Sequence, residues 1–349
     1  MSQPLSFLIE QLKLGTSLDP KQVDSSAALI LDESIEVGAK ADFLKALAGK
    51  GETPAEIAAF VDSFLGRAVD PGLDPDQVDG PMLDVCGTGG DKLDLFNVST
   101  TCIFVLAAGG ACVVKHGNRG ITSKSGGADV LEALGVTIDL PPPECAEMIR
   151  RNGVGFMFAP IYHPAFKAVV PVRQQLATEG VRTIFNILGP LLNPARPAHQ
   201  LIGVFDPELT GAFANILKAL GRKSAWAVHG STGDGRGMDE LSVLAQSKVT
   251  QLAAGGEISD FQVDPLELGL PSASLEDLQG GDAEVNAKIL VSILDGSELG
   301  AKRDIVTLNS AAGFVACGLA KDLTEGLERA AEAIDSGRAL GKLKALQAG

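Results

Sequence analysis

The chain has 349 residues, 45% of them hydrophobic and 41 of them glycine, and carries a formal net charge of −15. That length suffices for two domains, and that composition suits an α/β protein with many tight turns. An acidic balance this large argues against a general nucleic-acid or anionic-membrane binder, which needs a basic face, but leaves room for a small anion in a local basic pocket. The five cysteines (Cys86, Cys102, Cys112, Cys145, Cys317) show no C-x-x-C spacing, and most sit in apolar runs as buried reduced thiols do. The start, MSQPLSFLIEQLKLG, lacks a basic stretch followed by an apolar core, so no signal peptide is expected. The longest apolar run, Ile103 to Val114, is cut by Gly109-Gly110 and is too short for a bilayer, so a cytoplasmic enzyme is expected.

Residues 2–70 read as helices. Apolar residues recur at helical spacing from Leu5 to Leu14 and from Val23 to Leu31, and Thr53-Pro54-Ala55-Glu56 is a capping box ahead of Ile57, Phe60, Val61 and Phe64. Residues 71–81, PGLDPDQVDGP, read as a linker and hinge. From Met82 onward, strand-like and helix-like segments alternate. Leu83 to Cys86, Ala111 to Val114, Gly155 to Phe158, Leu201 to Phe205, Ala225 to His229 and Lys248 to Leu252 are strand candidates. Helical patterns include Thr101 to Ala108, Glu144 to Arg151, Leu209 to Leu220, Ala283 to Leu294 and Leu323 to Ser336. Residues 162–186 read as helix interrupted at Pro171 and packing back on the N-terminal helices. The alternation implies a largely parallel sheet covered by helices.

The chemistry concentrates between Leu83 and Gly127. A buried strand breaks into Gly87-Thr88-Gly89-Gly90-Asp91, where consecutive glycines let backbone N–H groups approach a ligand. The run matches neither the Walker pattern nor G-x-G-x-x-G, which removes the main support for a P-loop ATPase or a Rossmann dehydrogenase. Asn97-Val98-Ser99-Thr100 then opens an apolar helix, and helix N-termini attract phosphate. The second strand delivers Lys115-His116-Gly117-Asn118-Arg119 onto the next loop, and Lys124 follows. Four cationic or potentially cationic side chains within ten positions of an acidic chain point to an anionic ligand, although a solvated loop is the plain alternative. Asp239-Glu240 lies in a loop past a strand candidate; such a pair is usually surface, but with a phosphate loop on the same sheet edge it suits magnesium, with Asp234 as a weaker ligand. Arg173, on the helix after Pro171, is either an ion-pair member or a carboxylate clamp for a second, aromatic substrate.

The wording of these segments goes further than their spacing. GTGGD, FNVST, KHGNR followed by SKSGGADVLEALGV, FAPIYHPA, VRTIFNILGPLLNPA and MDELS, in this order from about residue 5 to the C-terminus, closely resemble the anthranilate phosphoribosyltransferase family. The resemblance implies an α/β fold with a separate small α-helical domain, of the nucleoside phosphorylase/phosphoribosyltransferase-like (class III-type) kind, with a central largely parallel sheet flanked by helices. Residues 1–72, joined by about 162–190, would form the helical domain, and 73–349 the large α/β domain. It implies a homodimer through the helical domain, and the second step of tryptophan biosynthesis from chorismate: anthranilate and 5-phosphoribosyl 1-diphosphate (PRPP) give N-(5-phosphoribosyl)anthranilate and pyrophosphate, with magnesium as two ions. By motif, PRPP would meet Gly87, Gly90 and Asp91; Asn97, Val98, Ser99 and Thr100; and Lys115, His116, Gly117, Asn118, Arg119, Gly120, Ile121, Thr122 and Ser123. Anthranilate would meet Gly87, Asn118, His163 and Arg173, and magnesium would sit on Ser99, Asp239 and Glu240. No residue is assigned as acid or base.

Two departures from the family pattern stand out. Leu95 replaces the usual hydroxyl residue before Phe96-Asn97, and Gly127 stands where serine is common. Each lost neutral hydrogen bond is worth about 0.5–1.5 kcal/mol, so weaker PRPP binding is expected without loss of activity. The rival readings are a pyrimidine-nucleoside-phosphorylase-like enzyme, which shares the fold, and a non-catalytic nucleic-acid-binding relative, which the charge of −15 disfavours.

Overall fold

The computed structural model describes residues 4–120 and 124–349. Ile121, Thr122 and Ser123, three of the residues expected at PRPP, therefore lie outside the described residues. The chain opens with four helices, α1 (Leu5–Lys13), α2 (Pro20–Leu31), α3 (Val37–Lys50) and α4 (Pro54–Leu65). The box at Thr53 forms: its hydroxyl accepts the Glu56 N–H at 3.2 Å, and the Glu56 carboxylate accepts the Thr53 N–H at 3.0 Å. Glu56 also accepts the Leu18 N–H at 2.9 Å and pairs with Lys50 at 2.6 Å, so this buried carboxylate ties α4 to the turn before α2 and to the end of α3. A second box at Asp19 and Gln22 sets the start of α2.

The α/β part follows as β1 (Met82–Gly87), α5 (Val98–Ala108), β2 (Cys112–Gly117), α6 (Gly127–Ala133), α7 (Pro142–Asn152), β3 (Val154–Phe158), α8 (Ala159–Tyr162) and α9 (Val170–Thr178). It continues with β4 (His199–Gly203), α10 (Leu209–Ala219), β5 (Ser224–Ser231), β6 (Gly237–Met238), β7 (Ser247–Leu252), β8 (Ile258–Val263), α11 (Ala283–Leu294), α12 (Ala301–Ala316), α13 (Leu323–Asp335) and α14 (Arg338–Gln347). The sheet order is β3-β2-β1-β4-β5-β7-β8, with the first five strands parallel, β7 and β8 antiparallel, and β6 paired to β5. Helix α5 is buried on every residue except Ser99, which explains why its sequence is apolar all round: it lies inside, between the sheet and α12 to α14. Among the described residues no helix is long and apolar enough to cross a membrane.

Several sequence expectations need correction. Lys115, His116 and Gly117 belong to β2 itself, not to the loop after it, because β2 stays paired with β3 as far as Gly117↔Phe158. Strand β4 runs His199–Gly203 and stops short of Phe205, since its ladder with β1 ends at Gly87↔Gly203. Pro171 occupies the first turn of α9, where a missing N–H costs nothing, so it opens that helix and does not break one. Strand β8 had no apolar run to announce it: only Val263 is buried there, at an edge.

The helical region is not packed on itself alone. One apolar cluster joins Leu8, Phe43, Phe60 and Phe64 to Val172, Leu176 and Phe185, then reaches the sheet through Phe213, Ile216 and Leu217 of α10. A second, larger cluster fills the other sheet face around α5 and α12.

Candidate active site

Along the sheet, β2 lies on one side of β1 and β4 on the other, and a parallel sheet opens a crevice where its strand order reverses. The opening is widened on the β2 side. The β1–β2 register holds only at Met82↔Cys112 and Leu83↔Val113, whereas β1–β4 runs through five pairs. Beyond Leu83 side chains bridge the gap: Lys115 Nζ donates to the Val85 carbonyl at 2.7 Å, and Asn193 Nδ2 to the Val114 carbonyl at 2.7 Å. Lys115 is thereby buried, and its ammonium also lies 3.2 Å from Ser99 Oγ. The cleft encloses about 1690 Å³ between the strand ends and the segments of α8 and α9. That is more than one small ligand needs.

Two glycines at the ends of β1 and β4 create the place for Asp239. A Cβ at Gly87 would sit 2.2 Å from Asp239 Oδ2, and one at Gly203 would sit 1.5 Å from the Asp239 carbonyl oxygen. The same Oδ2 accepts the Gly89 N–H at 2.7 Å, so the carboxylate is seated inside the glycine turn. Left-handed backbone at Gly89 (φ 69°) and Gly90 (φ 92°), then at Lys92 and Asp94, curls the loop round it. Asp239 is pushed up to about 7, first by burial and then by the charge of Asp91, against the pull of the Gly89 N–H. Burial and then Asp239 raise Glu240 well above the usual carboxylate range, opposed by Lys115.

Both carboxylates keep some exposure to the cleft, yet protein crowds them closely enough to set their acidity. Neither is ion-paired among the described residues. Nor, among those residues, do three or more His, Cys, Asp or Glu side chains converge there into a ready metal cage. Two adjacent hard carboxylates that repel each other, with the Ser99 hydroxyl nearby, nonetheless fit magnesium. That ion takes one or two carboxylates and fills its shell with water and phosphate oxygens.

The residues expected at PRPP divide into free and committed groups. The side chain of Asn97, at the start of α5, donates to the Ser125 carbonyl at 3.1 Å and accepts from Asn286 Nδ2 at 2.9 Å, which ties the loop to α11. Thr100 is buried, with its Oγ1 3.0 Å from where a Cβ at Gly127 would stand. Asn118 Oδ1 accepts the Arg119 N–H at 2.8 Å, and the Gly120 N–H bonds Asp129 at 2.8 Å. Arg119 forks onto Glu132, with its second nitrogen at 2.8 Å, and stands 5.5 Å over Phe158. Lys124 pairs with Asp94 at 2.8 Å. Of the expected cationic cluster, only Lys115 bonds to uncharged oxygens inside the cleft.

The opposite wall carries the aromatic and basic side chains. His116 and His163 meet edge to face at 5.1 Å, and His163 meets Phe166 at 5.3 Å. Burial, then His163, pushes His116 down to about 3. His163 is also lowered by burial, and its Nε2–H donates to the Leu192 carbonyl at 2.8 Å. Among the described residues, His116 Nε2 and His163 Nδ1 are buried without a partner. Arg173 lines the cleft from α9 with no carboxylate partner among the described residues, which disposes of the ion-pair alternative. The sequence reading missed Arg182, whose guanidinium lies 4.6 Å over Phe205 and 3.7 Å from where a Cβ at Gly90 would stand. It also missed Asn286; the only available cue was an amide on an otherwise apolar helical face.

Comparison with known proteins is consistent along the whole chain. Residues 79–340 match the glycosyl transferase family, a/b domain. The anthranilate phosphoribosyltransferase of Desulfatibacillum aliphaticivorans is 44% identical over 98% of this chain and 97% of its own. The crystal structure of anthranilate phosphoribosyltransferase from Thermus thermophilus superposes with a TM-score of 0.88 at 38% identity, covering 97% of this chain and 98% of that one. The Saccharomyces cerevisiae anthranilate phosphoribosyltransferase in complex with PRPP and Mg gives a TM-score of 0.84 at 26% identity, covering 98% and 96%.

Proposed function

The chain belongs to the anthranilate phosphoribosyltransferase family, and on that premise we propose how its cleft divides the work. The enzyme is a glycosyltransferase of tryptophan biosynthesis that moves the phosphoribosyl group of PRPP to anthranilate and releases pyrophosphate. The observation that carries the assignment of sides is the seating of Asp239 in the Gly87–Asp91 turn, across the cleft from the unpaired Arg173. The glycine turn, Asn97 to Thr100 and Lys115 to Gly120 take PRPP. Arg119 reaches it only by leaving Glu132, so Lys115 is the standing positive charge. Arg173 takes the anthranilate carboxylate, with His163, Asn118 and Gly87 bordering the ring.

Asp239, Glu240 and Ser99 hold magnesium, which when bound neutralises charge developing on the departing pyrophosphate. The backbone N–H groups of the glycine turn and Lys115 face the same end of the donor and add fixed positive potential there. Anthranilate's amine is neutral at pH 7, so the protein supplies orientation, not deprotonation. The two histidine rings suit that role: both are held neutral by burial and each keeps an unpartnered nitrogen. Closure of the helical region over the crevice, hinged at residues 71–81, excludes water that would hydrolyse PRPP.

We further propose that residues 1–72, with about 162–190, form a moving helical domain on the larger 73–349 body. Exposed Phe7 on α1 and Leu14 beside it support a homodimer through this region, in a cytoplasmic enzyme. Sedimentation of wild type against Phe7→Ser tests the dimer.

The deciding assay follows anthranilate fluorescence after addition of PRPP and magnesium. Rapid loss, abolished by chelation and restored by a magnesium titration that counts the two expected ions, supports the assignment. Retained turnover in Asp239→Ala would remove that carboxylate from the site.

A further inference from the structure

We propose that Arg182 is a further donor-binding residue, gripping the diphosphate end of PRPP and the pyrophosphate that leaves. The inference rests on the reading above that the Gly87–Asp91 turn receives the diphosphate. Local structure delivers the side chain there. Helix α9 ends at Thr178, Gly180 takes φ 68°, and the Val181 N–H folds back onto the Leu176 carbonyl at 2.9 Å. Arg182 comes next, anchored from behind by buried Thr183, Ile184 and Phe185, and by the Thr183 N–H on Asn186 Oδ1 at 2.8 Å. The backbone is thus fixed to the apolar cluster of the helical region, while the side chain reaches across to the glycine turn of the sheet.

The head group is positioned as well as delivered. The guanidinium lies 4.6 Å over the Phe205 ring, just past the end of β4, and one terminal nitrogen comes within 3.7 Å of where a side chain at Gly90 would begin. A stacked guanidinium keeps its donor edge free for oxygen acceptors, and its planar fork matches a phosphate pair. It has no carboxylate partner among the described residues, in a chain with 44 acidic and 29 basic side chains. Arg119, Arg196 and Arg236, equally exposed, are each paired. An unpaired, stacked arginine beside a phosphate-type turn is therefore left for an anion. Its anchorage in the helical region makes it the contact through which that region reaches the leaving group.

The test compares wild type with Arg182→Gln and Phe205→Leu. The exposed arginine has no acid to lose among the described residues, and its one stacking contact, on Phe205, is controlled for by the second variant. Steady-state rates give the KM of each substrate and the inhibition constant of pyrophosphate. Thermal shift with pyrophosphate alone, and then with magnesium, reads binding apart from turnover. Arg182→Gln should raise the PRPP KM and the pyrophosphate inhibition constant roughly tenfold or more, as expected for one charged hydrogen bond. It should shrink the pyrophosphate thermal shift and leave the anthranilate KM within about twofold. Phe205→Leu, which removes the platform but not the charge, should fall between wild type and Arg182→Gln. Unchanged PRPP KM and thermal shift would overturn the inference, as would a larger rise in the anthranilate KM than in the PRPP KM. Failure of wild type to consume anthranilate would instead defeat the underlying assignment.

Discussion

Gly87 and Gly203 make the same room for Asp239 in two different ways, and substitution can separate them. Neither glycine has a positive φ, so alanine brings no backbone strain, only contact. At Gly87 the new Cβ falls 2.2 Å from Asp239 Oδ2 and 2.7 Å from its Cγ, both side-chain atoms. Ordinary contact begins at 3.4 Å, so the carboxylate must move by more than an ångström. That movement breaks its 2.7 Å bond from the Gly89 N–H. The lost charged hydrogen bond costs about 1.5–3 kcal/mol, and the overpacking adds about 1–3 kcal/mol. At Gly203 the collision is with the Asp239 carbonyl, at 1.5 Å, and a backbone cannot swing aside. Urea denaturation of Gly87→Ala and Gly203→Ala, each in wild type and in Asp239→Ala, gives two thermodynamic cycles. The penalty of Gly87→Ala should shrink by about 2.5–6 kcal/mol when the Asp239 side chain is already gone, since both contributions involve its atoms, whereas that of Gly203→Ala should persist. Turnover of Gly87→Ala alone should fall roughly a hundredfold, because the displaced carboxylate is the one assigned to magnesium. An equal penalty for Gly87→Ala in both backgrounds would refute the idea that this glycine exists to seat Asp239.

Three further outcomes follow from the same geometry. Arg173→Gln should raise the anthranilate KM roughly tenfold or more, since a charged hydrogen bond is lost, with the PRPP KM unchanged; the reverse pattern in initial-rate kinetics would move Arg173 to the donor side. His116, held neutral by burial and pushed down to about 3, contributes stability that is complete above its ordinary value of 6.5 and lost as pH falls towards 3. At pH 5 that loss is about 2 kcal/mol, so the urea midpoint of His116→Gln should fall less than that of wild type between pH 7.5 and pH 5, and parallel falls would refute the burial argument. Leu95→Thr should lower the PRPP KM about two- to tenfold if its hydroxyl reaches the donor, at some cost in stability because Leu95 packs on the larger cluster and bridges to Gln279; an unchanged KM would make this position purely structural.

The fold was legible where burial leaves a mark on composition. Strand β1, with every position buried but the last, shows as a short apolar run broken only by the buried Asp84, and α5 announces its interior place by its long apolar stretch. The Thr53 box was readable because capping is chemistry between residues three apart. Lys115 and His116 were misplaced onto a loop because charge suggests exposure. Here the β1–β2 splay creates an interior polar gap that a lysine fills by bonding a carbonyl. Strand β8 was missed for the opposite reason, since an edge strand that buries one residue carries almost no pattern.

Most of the residues proposed for the site stand in motifs, but which charges stay uncompensated was not legible there. KHGNR and Lys124 read as one basic cluster; in the fold Glu132 and Asp129 take Arg119, Asp94 takes Lys124, and burial keeps His116 neutral. Arg173, which the sequence left open between ion pair and carboxylate clamp, and Arg182, which it did not single out, are both left without acids among the described residues. Compensation depends on neighbours brought from far along the chain: Asp239 meets the Gly89 N–H across 150 positions. The result is a floor of repelling carboxylates with Lys115 beside it, facing two unpaired arginines on the helical side. A cation alone would satisfy only the floor, and an anion alone only the wall. A polyanionic donor carrying its own divalent cation satisfies both, which is why the charge pattern favours a diphosphate substrate over orthophosphate and a neutral nucleoside.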